Sequence, residues 1–209
     1  MNLKTNRSII VLFVCFLGLF IFLTSCKQKA VFNSKSEMIN YLKDPDNNHL
    51  WGKKVKGIAF ELQHRPTDLM VALENPNPTK GQMDSLRSKY QKSVYFTLSI
   101  STQNKDLLSQ VALDKKRFSG LVQDLAFGMS DKATLYSSDF DTIKFIGSDF
   151  SRLYGMGKSN TVLMAFEKDP NALKSPYLFF SIKDLGLSLG DVRFKIPTES
   201  LINQPEIAF

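Results

Sequence analysis

Cysteine and histidine are scarce in this 209-residue sequence, which contains two of each. Cys15 and Cys26 both lie near the N-terminus, so residues 27–209 offer no thiol for a disulfide bond or for nucleophilic catalysis. A catalytic zinc site usually has three protein ligands, commonly with histidine among them. Because His49 and His64 lack the close spacing of such sites, we expect neither a metal nor another cofactor.

The two histidines are predicted to differ in environment. His49 follows the polar turn segment 44–48 and is expected to be solvated. His64 lies at the end of a predicted strand, where a structural or rim position is expected. A Ser-His-Asp group built on His64 stays open, because such triads are defined by geometry and not by sequence order.

Other reactive patterns are weak. Asp139, Asp141 and Asp149 lie around turns, where aspartate is common, and they lack the spaced ligands and glycine of an EF-hand. Paired carboxylates for glycoside hydrolysis cannot be identified from spacing alone. The sequence contains no Gly-x-Ser-x-Gly elbow. No catalytic residue is therefore assigned.

One glycine-rich segment is similar to the end of a phosphate-binding P-loop. Residues 155–159 read Gly-Met-Gly-Lys-Ser, but Arg152 occupies the position where that motif requires its first glycine. The motif must also open a helix, whereas the residues that follow it alternate like a strand. We predict a turn that enters a strand, and no nucleotide site.

The basic excess is modest and dispersed. The formal net charge is +7, and the lysines are scattered along the chain. The two densest basic groups are residues 53–56 and 115–117, which suit solvated faces better than a nucleic-acid interface. We expect no nucleic-acid partner.

The only long apolar run is at the N-terminus. Residues 9–23 are almost purely hydrophobic, follow Lys4 and Arg7, and are short against the roughly 20 residues of a spanning helix. A basic start, a short apolar core and small residues after it are typical of a secretory signal. An uncleaved signal anchor and an ordinary signal peptide are the two alternatives to the interpretation that follows.

The run is closed by Leu23-Thr24-Ser25-Cys26, which resembles the lipobox of bacterial lipoproteins. The resemblance implies that signal peptidase II recognises Leu23, Thr24 and Ser25 and removes residues 1–25. It also implies that Cys26 becomes the acylated N-terminus. Several acyl chains hold a protein stably on a membrane, so no spanning segment is needed. Residues 26–33 would then form an acylated tether.

The residues after Cys26 bear on localisation. In lipoproteins of the enteric type, aspartate after the cysteine favours the inner membrane, and surface display in some groups uses an acidic cluster. This sequence has Lys27 and no such cluster. The resemblance therefore implies an outer-membrane lipoprotein that faces the periplasm. In its lysine- and asparagine-rich composition the chain also resembles lipoproteins of Bacteroidota-type genomes, which implies no activity.

Four helices are predicted from capping residues and periodicity. Ser34 and Glu37 have capping-box spacing and open a helix that ends near Lys43. The other three are residues 67–74 with Thr67 as the cap, residues 82–90, and a helix capped by Asp114 that ends at Gly128.

Alternation of apolar and polar residues predicts the strands. They are residues 53–64, 94–101, 135–138, 142–146, 160–168, 177–183 and 192–196, with a docked strand at residues 206–209. The connections at residues 169–171 and 186–190 are short enough for hairpins. Within residues 177–183, Phe179 and Phe180 must point to opposite faces. We expect both rings to be core, and the alternative is that one of them is exposed, as at an interface.

These elements predict the fold class and a general role. Residues 34–209 are expected to form one α+β domain, a mainly antiparallel sheet or sandwich of six to eight strands with three or four helices packed on it. Because no reactive groups converge, we expect a non-enzymatic role in binding or assembly, with an envelope protein as partner. The alternatives are an envelope hydrolase using His64 and a carrier of a small ligand or lipid.

Overall fold

The computed structural model describes residues 29–103, 105–139, 141–151 and 157–208, with the side chain of Ser151 excepted. The predicted signal and lipobox, residues 1–26, lie outside the described residues. Within the described part the chain is α+β, as predicted from the sequence, with seven α-helices and twelve strands.

The helices range from one turn to more than three turns. They are α1 (Lys35–Lys43), α2 (Thr67–Glu74), α3 (Lys80–Tyr90), α4 (Leu107–Gln110), α5 (Lys115–Phe127), α6 (Met129–Lys132) and α7 (Thr198–Ile202). Short 3-10 turns cover Pro45–Asn47 and Ala172–Lys174.

The strands range from two to ten residues. They are β1 (Val31–Phe32), β2 (Leu50–Val55), β3 (Ile58–Arg65), β4 (Ser93–Thr102), β5 (Lys105–Asp106), β6 (Ala133–Ser137), β7 (Thr142–Ile143), β8 (Phe145–Ser151), β9 (Asn160–Glu167), β10 (Tyr177–Ile182), β11 (Val192–Pro197) and β12 (Glu206–Ile207).

The strands form two larger antiparallel sheets and one small parallel pair. The first sheet has the order β2-β3-β4-β9-β8, with β5 paired to β4. The second has the order β11-β10-β6-β7. The pair joins β1 to β12. The predicted numbers of strands and helices were too low. The predicted strands 53–64 and 142–146 each correspond to two strands, β2 with β3 and β7 with β8. The two-residue strands β1 and β5 and the one-turn helices α4, α6 and α7 were not predicted. Such pieces are too short for a periodic signal.

The two larger sheets pack face to face around aromatic side chains. Phe96 on β4 lies 6.4 Å from Phe166 on β9 and 6.3 Å from Phe180 on β10, measured between ring centroids. All three side chains are fully buried. Because β10 belongs to the second sheet, these contacts join the two sheets, and the arrangement is a sandwich.

The two sheets are connected to each other at both edges of this sandwich. At one edge Ile143 ends β7 in the second sheet and Phe145 begins β8 in the first. At the other edge, Lys53 Nζ donates to the Arg193 carbonyl at 2.9 Å and Lys56 Nζ to the Ser188 carbonyl at 2.7 Å. The interior between the sheets is filled by one continuous cluster of buried hydrophobic side chains.

Two sequence predictions about strand connections were wrong. The single strand at residues 53–64 is a hairpin, because the chain reverses at Lys56 and Gly57, which have φ values of +47° and +87°. Positive φ at both central residues is the geometry of a tight two-residue turn. The connection at residues 169–171 is not part of a hairpin, because β9 and β10 lie in different sheets. The hairpin of β10 with β11 is confirmed.

Helix caps were predicted with mixed success. The Ser34 hydroxyl accepts from the Glu37 amide, which confirms Ser34 as the cap of α1. The reciprocal half of the predicted capping box differs, because the Glu37 carboxylate accepts from the Asn33 amide and not from that of Ser34. Asp114 caps α5 as predicted. Thr67 does not cap α2. It is the first residue of that helix, and its amide donates to Gln204 Oε1 at 2.9 Å instead.

A second, smaller core lies under the N-terminal helices. It consists of Met38, Leu42, Leu69, Ala72 and Ile207, from α1, α2 and β12. The predicted docking of the C-terminal residues is confirmed, because Glu206 and Ile207 pair in parallel with Val31 and Phe32.

Buried Asp68 holds this smaller core together. Its carboxylate accepts from Arg87 Nε and Nη2 at 2.7 and 2.6 Å, and from the Ile207 amide at 2.8 Å. The residue is 3% exposed. One side chain on α2 therefore fixes both α3 and the last strand, through a bidentate charge-assisted contact.

The Asp68→Asn variant is expected to lose about 2 kcal/mol of unfolding free energy, because it removes the charge that satisfies Arg87 in a largely buried pair. Urea unfolding measured by circular dichroism checks this. Asp191→Asn, at an exposed carboxylate, serves as the matched control and is expected to change stability by less than about 0.5 kcal/mol. Equal stability of the two variants would contradict the role of Asp68.

Candidate functional site

The two histidines meet inside the protein. His49 Nδ1 lies 3.0 Å from His64 Nδ1, and the rings stack with centroids 5.2 Å apart and an interplanar angle of 20°. The His64 amide also donates to the His49 carbonyl at 2.8 Å. The prediction that His49 is solvated was wrong, because its exposed fraction is only 2%. The segment before β2 folds inward and places the ring under Tyr41.

This contact requires at least one neutral imidazole. One Nδ1 must donate and the other must accept, so a doubly protonated pair loses the bond and gains a repulsion. Burial lowers the pKa of His49 to about 4. The pKa of His64 lies well below its ordinary value, first because of burial and then because of the positive charges of His49, Lys168 and Arg65.

His64 is poorly placed for catalysis. Its side chain is fully buried, and within the described residues its only side-chain hydrogen-bond partner is His49. His64 Nε2 has no partner in this part of the structure. A general base must come within hydrogen-bond reach of the group it deprotonates. The geometry therefore lends no support to the alternative of a hydrolase that uses His64.

The remaining candidates for reactive groups are dispersed. Asp139, Asp141 and Asp149 are exposed, and the amides of the first two donate to Ser137 Oγ. Across the described ranges, no three histidine, cysteine or acidic side chains are grouped so that they could hold a metal ion. Residues 152–156 of the glycine-rich segment lie outside the described residues. The segment 157–159 enters strand β9 and not a helix, as predicted.

A different surface brings functional groups together on the outer face of the second sheet. In register across four strands lie Thr142, Tyr136, Phe179 and Lys195. The next row of the same face has Thr134, Ser181 and Arg193. Side chains alternate between the two faces of a strand, so burial of Phe180 places Phe179 on the outer face. The expectation that both rings are core is therefore correct for Phe180 only, since Phe179 is half-buried.

Aromatic rings and cations are paired on this face. The rings of Tyr136 and Phe179 stack with centroids 5.6 Å apart at an angle of 21°. Lys195 Nζ lies 3.6 Å from the centroid of the Tyr177 ring. We name Tyr136, Tyr177, Phe179, Arg193 and Lys195 the aromatic–basic face. Contacts of these kinds hold the side chains in place while leaving part of each ring accessible.

The aromatic–basic face surrounds a shallow depression of about 410 Å³. Its lining contains Arg193 and Lys195 but no carboxylate. Exposed aromatic residues and arginine are typical of the energetically important residues of protein interfaces. Such a surface can stack on a flat apolar group and pair with acidic groups beside it.

Sequence reasoning noted that Phe179 and Phe180 point to opposite faces but did not predict the aromatic–basic face. Tyr177 and Phe179, like Arg193 and Lys195, stand two residues apart, which places each pair on one face of its strand. This signal was present in the sequence. The two pairs lie side by side because of the register of β10 with β11. The spacing of residues within one strand does not predict this register.

Comparison with protein-family models, curated proteins and solved structures finds no match to this chain. None of the helices among the described residues has the length and apolar character needed to cross a bilayer.

The histidine pair predicts a pH dependence of stability. Because the folded pKa of His49 is lowered from 6.5 to about 4, its contribution is complete above pH 6.5 and is lost as the pH falls toward 4. We expect the unfolding free energy to decrease by about 3 kcal/mol over this interval, at about 1.4 kcal/mol per pKa unit. Urea unfolding at a series of pH values measures it.

The control for this prediction is the double variant His49→Leu/His64→Leu. It replaces both polar partners by apolar side chains and keeps only the pH dependence that arises from carboxylates. Its stability is expected to fall less steeply than that of the wild type between pH 6.5 and pH 4. Parallel curves would show that the histidine pair does not couple protonation to folding.

Proposed function

We propose that this chain is a lipid-anchored lipoprotein of the bacterial cell envelope with a non-enzymatic binding role. The anchor is supported by Leu23-Thr24-Ser25-Cys26 at the end of the apolar run. Acylated Cys26 holds the protein in membrane lipid, at the outer membrane and facing the periplasm. Signal peptidase II removes residues 1–25 after recognising Leu23, Thr24 and Ser25.

The binding role is supported by the aromatic–basic face. Three aromatic side chains and two cations share the outer surface of one sheet, in register and beside a depression without carboxylates. The partner is an envelope protein that presents carboxylates next to an apolar or aromatic group. Positive charge on one surface and negative charge on the other accelerates association and selects the partner.

The carrier alternative has less support. A carrier of a small ligand or lipid needs an enclosed apolar cavity. In the described part of the chain, the space between the two sheets is occupied by the buried side chains of the main core, including the rings of Phe96, Phe166 and Phe180. The depression at the aromatic–basic face is open and shallow, which suits a macromolecular surface better.

The Cys26→Ala variant is expected to lose labelling by an alkyne fatty acid and to keep its signal, because the acyl acceptor is absent. Fluorescence of the clicked label and the intact mass measure both effects. Cys15→Ala is the matched control and is expected to be labelled and cleaved like the wild type, since Cys15 lies within the removed segment. Labelling of Cys26→Ala at the wild-type level would contradict the anchor.

The aromatic–basic face can be tested by photo-crosslinking in cells. A photoreactive amino acid at Ser181, within the outward row, is expected to give one dominant adduct with an acidic envelope protein. The same amino acid at Leu113, which is fully exposed in the loop before α5, is the control position. If the same adducts formed in equal yield at Ser181 and Leu113, the aromatic–basic face would not be a specific interface.

Charge reversal supplies a second test of the same adduct. Arg193→Glu/Lys195→Glu is expected to reduce its yield about tenfold, because like charges then oppose each other across the interface. The control is Lys115→Glu/Lys116→Glu, which changes the charge by the same amount at the exposed start of α5. If Arg193→Glu/Lys195→Glu gave the adduct in wild-type yield, the proposed role of the two cations would be wrong.

A further inference from the structure

A charged depression lies beside the first residues that the structure describes. It has a volume of about 220 Å³, and its lining includes Lys29, Arg87 and Lys168 together with Asp68 and Glu206. Ile202, at the end of α7, is half exposed at the same place. The depression therefore combines three cations, two carboxylates and an exposed apolar side chain.

The charges of this depression are not fully compensated. Arg87 is held by both oxygens of Asp68, and Lys29 pairs with Glu206 at 2.6 Å. Lys168 is half-buried, and the described residues give its ammonium group no hydrogen bond or ion pair. Burial and the charge of Lys29 lower the pKa of Lys168. Both causes disfavour its charged form, and a bound anion would offset them.

The short stretch of chain between Cys26 and Lys29 limits how far the depression can lie from the membrane. Lys29 follows Cys26 by three residues, so even a fully extended chain separates the two Cα atoms by at most about 11 Å. If Cys26 is acylated, as the proposed function requires, Lys29 must stay within this distance of the bilayer surface. The phosphate groups of phospholipids lie at that surface.

We propose that the depression formed by Lys29, Lys168 and Arg87 binds the phosphate of a membrane phospholipid next to the acyl anchor. Lys168 supplies the cation without a protein partner. Lys29, which is half exposed, contributes a second ammonium group, with Glu206 still paired to it. Asp68 does not oppose the phosphate strongly, because its two oxygens are engaged by Arg87 and by the Ile207 amide.

Ile202 adds an apolar side chain to the depression, and Val31 is a second exposed apolar residue close to Lys29 in the chain. Their exposed fractions are 50% and 59%, and Val31 follows Lys29 by two residues. Apolar side chains at the headgroup boundary, next to cations, are typical of proteins that lie on a bilayer. The headgroup contact would orient the domain, since an acyl tether alone leaves it free to rotate.

The test measures how fast Lys168 is acetylated in the full-length acylated protein. The protein is reconstituted in vesicles of phosphatidylglycerol and, separately, in vesicles of digalactosyl diacylglycerol, which contain no phosphate. Phosphatidylglycerol is expected to slow acetylation of Lys168 about fivefold, because a neighbouring anion favours the protonated, unreactive amine. Peptide mass spectrometry gives the rate for each lysine.

Lys54 is the internal control in the same samples. It lies near the tip of the β2–β3 hairpin, about 20 Å along β3 from the depression. Its acetylation rate is expected to be equal in the two kinds of vesicle. Equal rates for Lys168 in both vesicles would overturn the proposal, and so would equal slowing of Lys54 and Lys168.

A third sample separates lipid phosphate from free phosphate. The acylated protein in neutral detergent micelles is titrated with inorganic phosphate. Slowing of Lys168 by phosphatidylglycerol vesicles supports the proposal, whether or not inorganic phosphate also slows it. If inorganic phosphate slowed the acetylation of Lys168 and phosphatidylglycerol vesicles did not, the proposed contact with the membrane would be wrong. The intact mass of the protein shows whether Cys26 is acylated, independently of the acetylation rates. Failure of the proposed anchor can therefore be distinguished from failure of the proposed headgroup contact.

Discussion

The packing of Phe96, Phe166 and Phe180 between the two sheets is the constraint on which the rest of the structure depends. These rings come from β4, β9 and β10, so they lock the first sheet against the second. Once Phe180 points inward, strand geometry turns Phe179 outward. Burial on the inner face thus creates the aromatic–basic face on the outer one.

The same aromatic core extends to the N-terminal helices through the two histidines. Ring contacts run from Phe96 to His64, His49 and Tyr41, and end at Phe32 on β1. The histidine pair is therefore the polar link between the main core and the smaller core. Both of the chain's histidines are thus buried in ring contacts, although they were the natural candidates for catalysis.

Local capping signals predicted two helix starts correctly, whereas Thr67 does not cap α2 as expected. The capping residues Ser34 and Asp114 act at short range, so their helices could be predicted from neighbouring residues. The turn at Lys56 and Gly57 was missed because lysine is not a usual residue at positive φ. The burial of His49 and the alignment of Lys195 with Phe179 depend on residues distant in sequence, which periodicity does not encode.

The parallel pairing of β1 with β12 has a consequence for how the chain matures. Val31 pairs with Glu206, so β1 is completed only by residues that follow it by 175 positions. Contacts between residues so distant in sequence form slowly, because the intervening chain must first be ordered. Strand β1 therefore stays unpaired until β12 has been synthesised and the intervening chain has folded. During that interval the backbone amides and carbonyls of β1 lack their partners in β12.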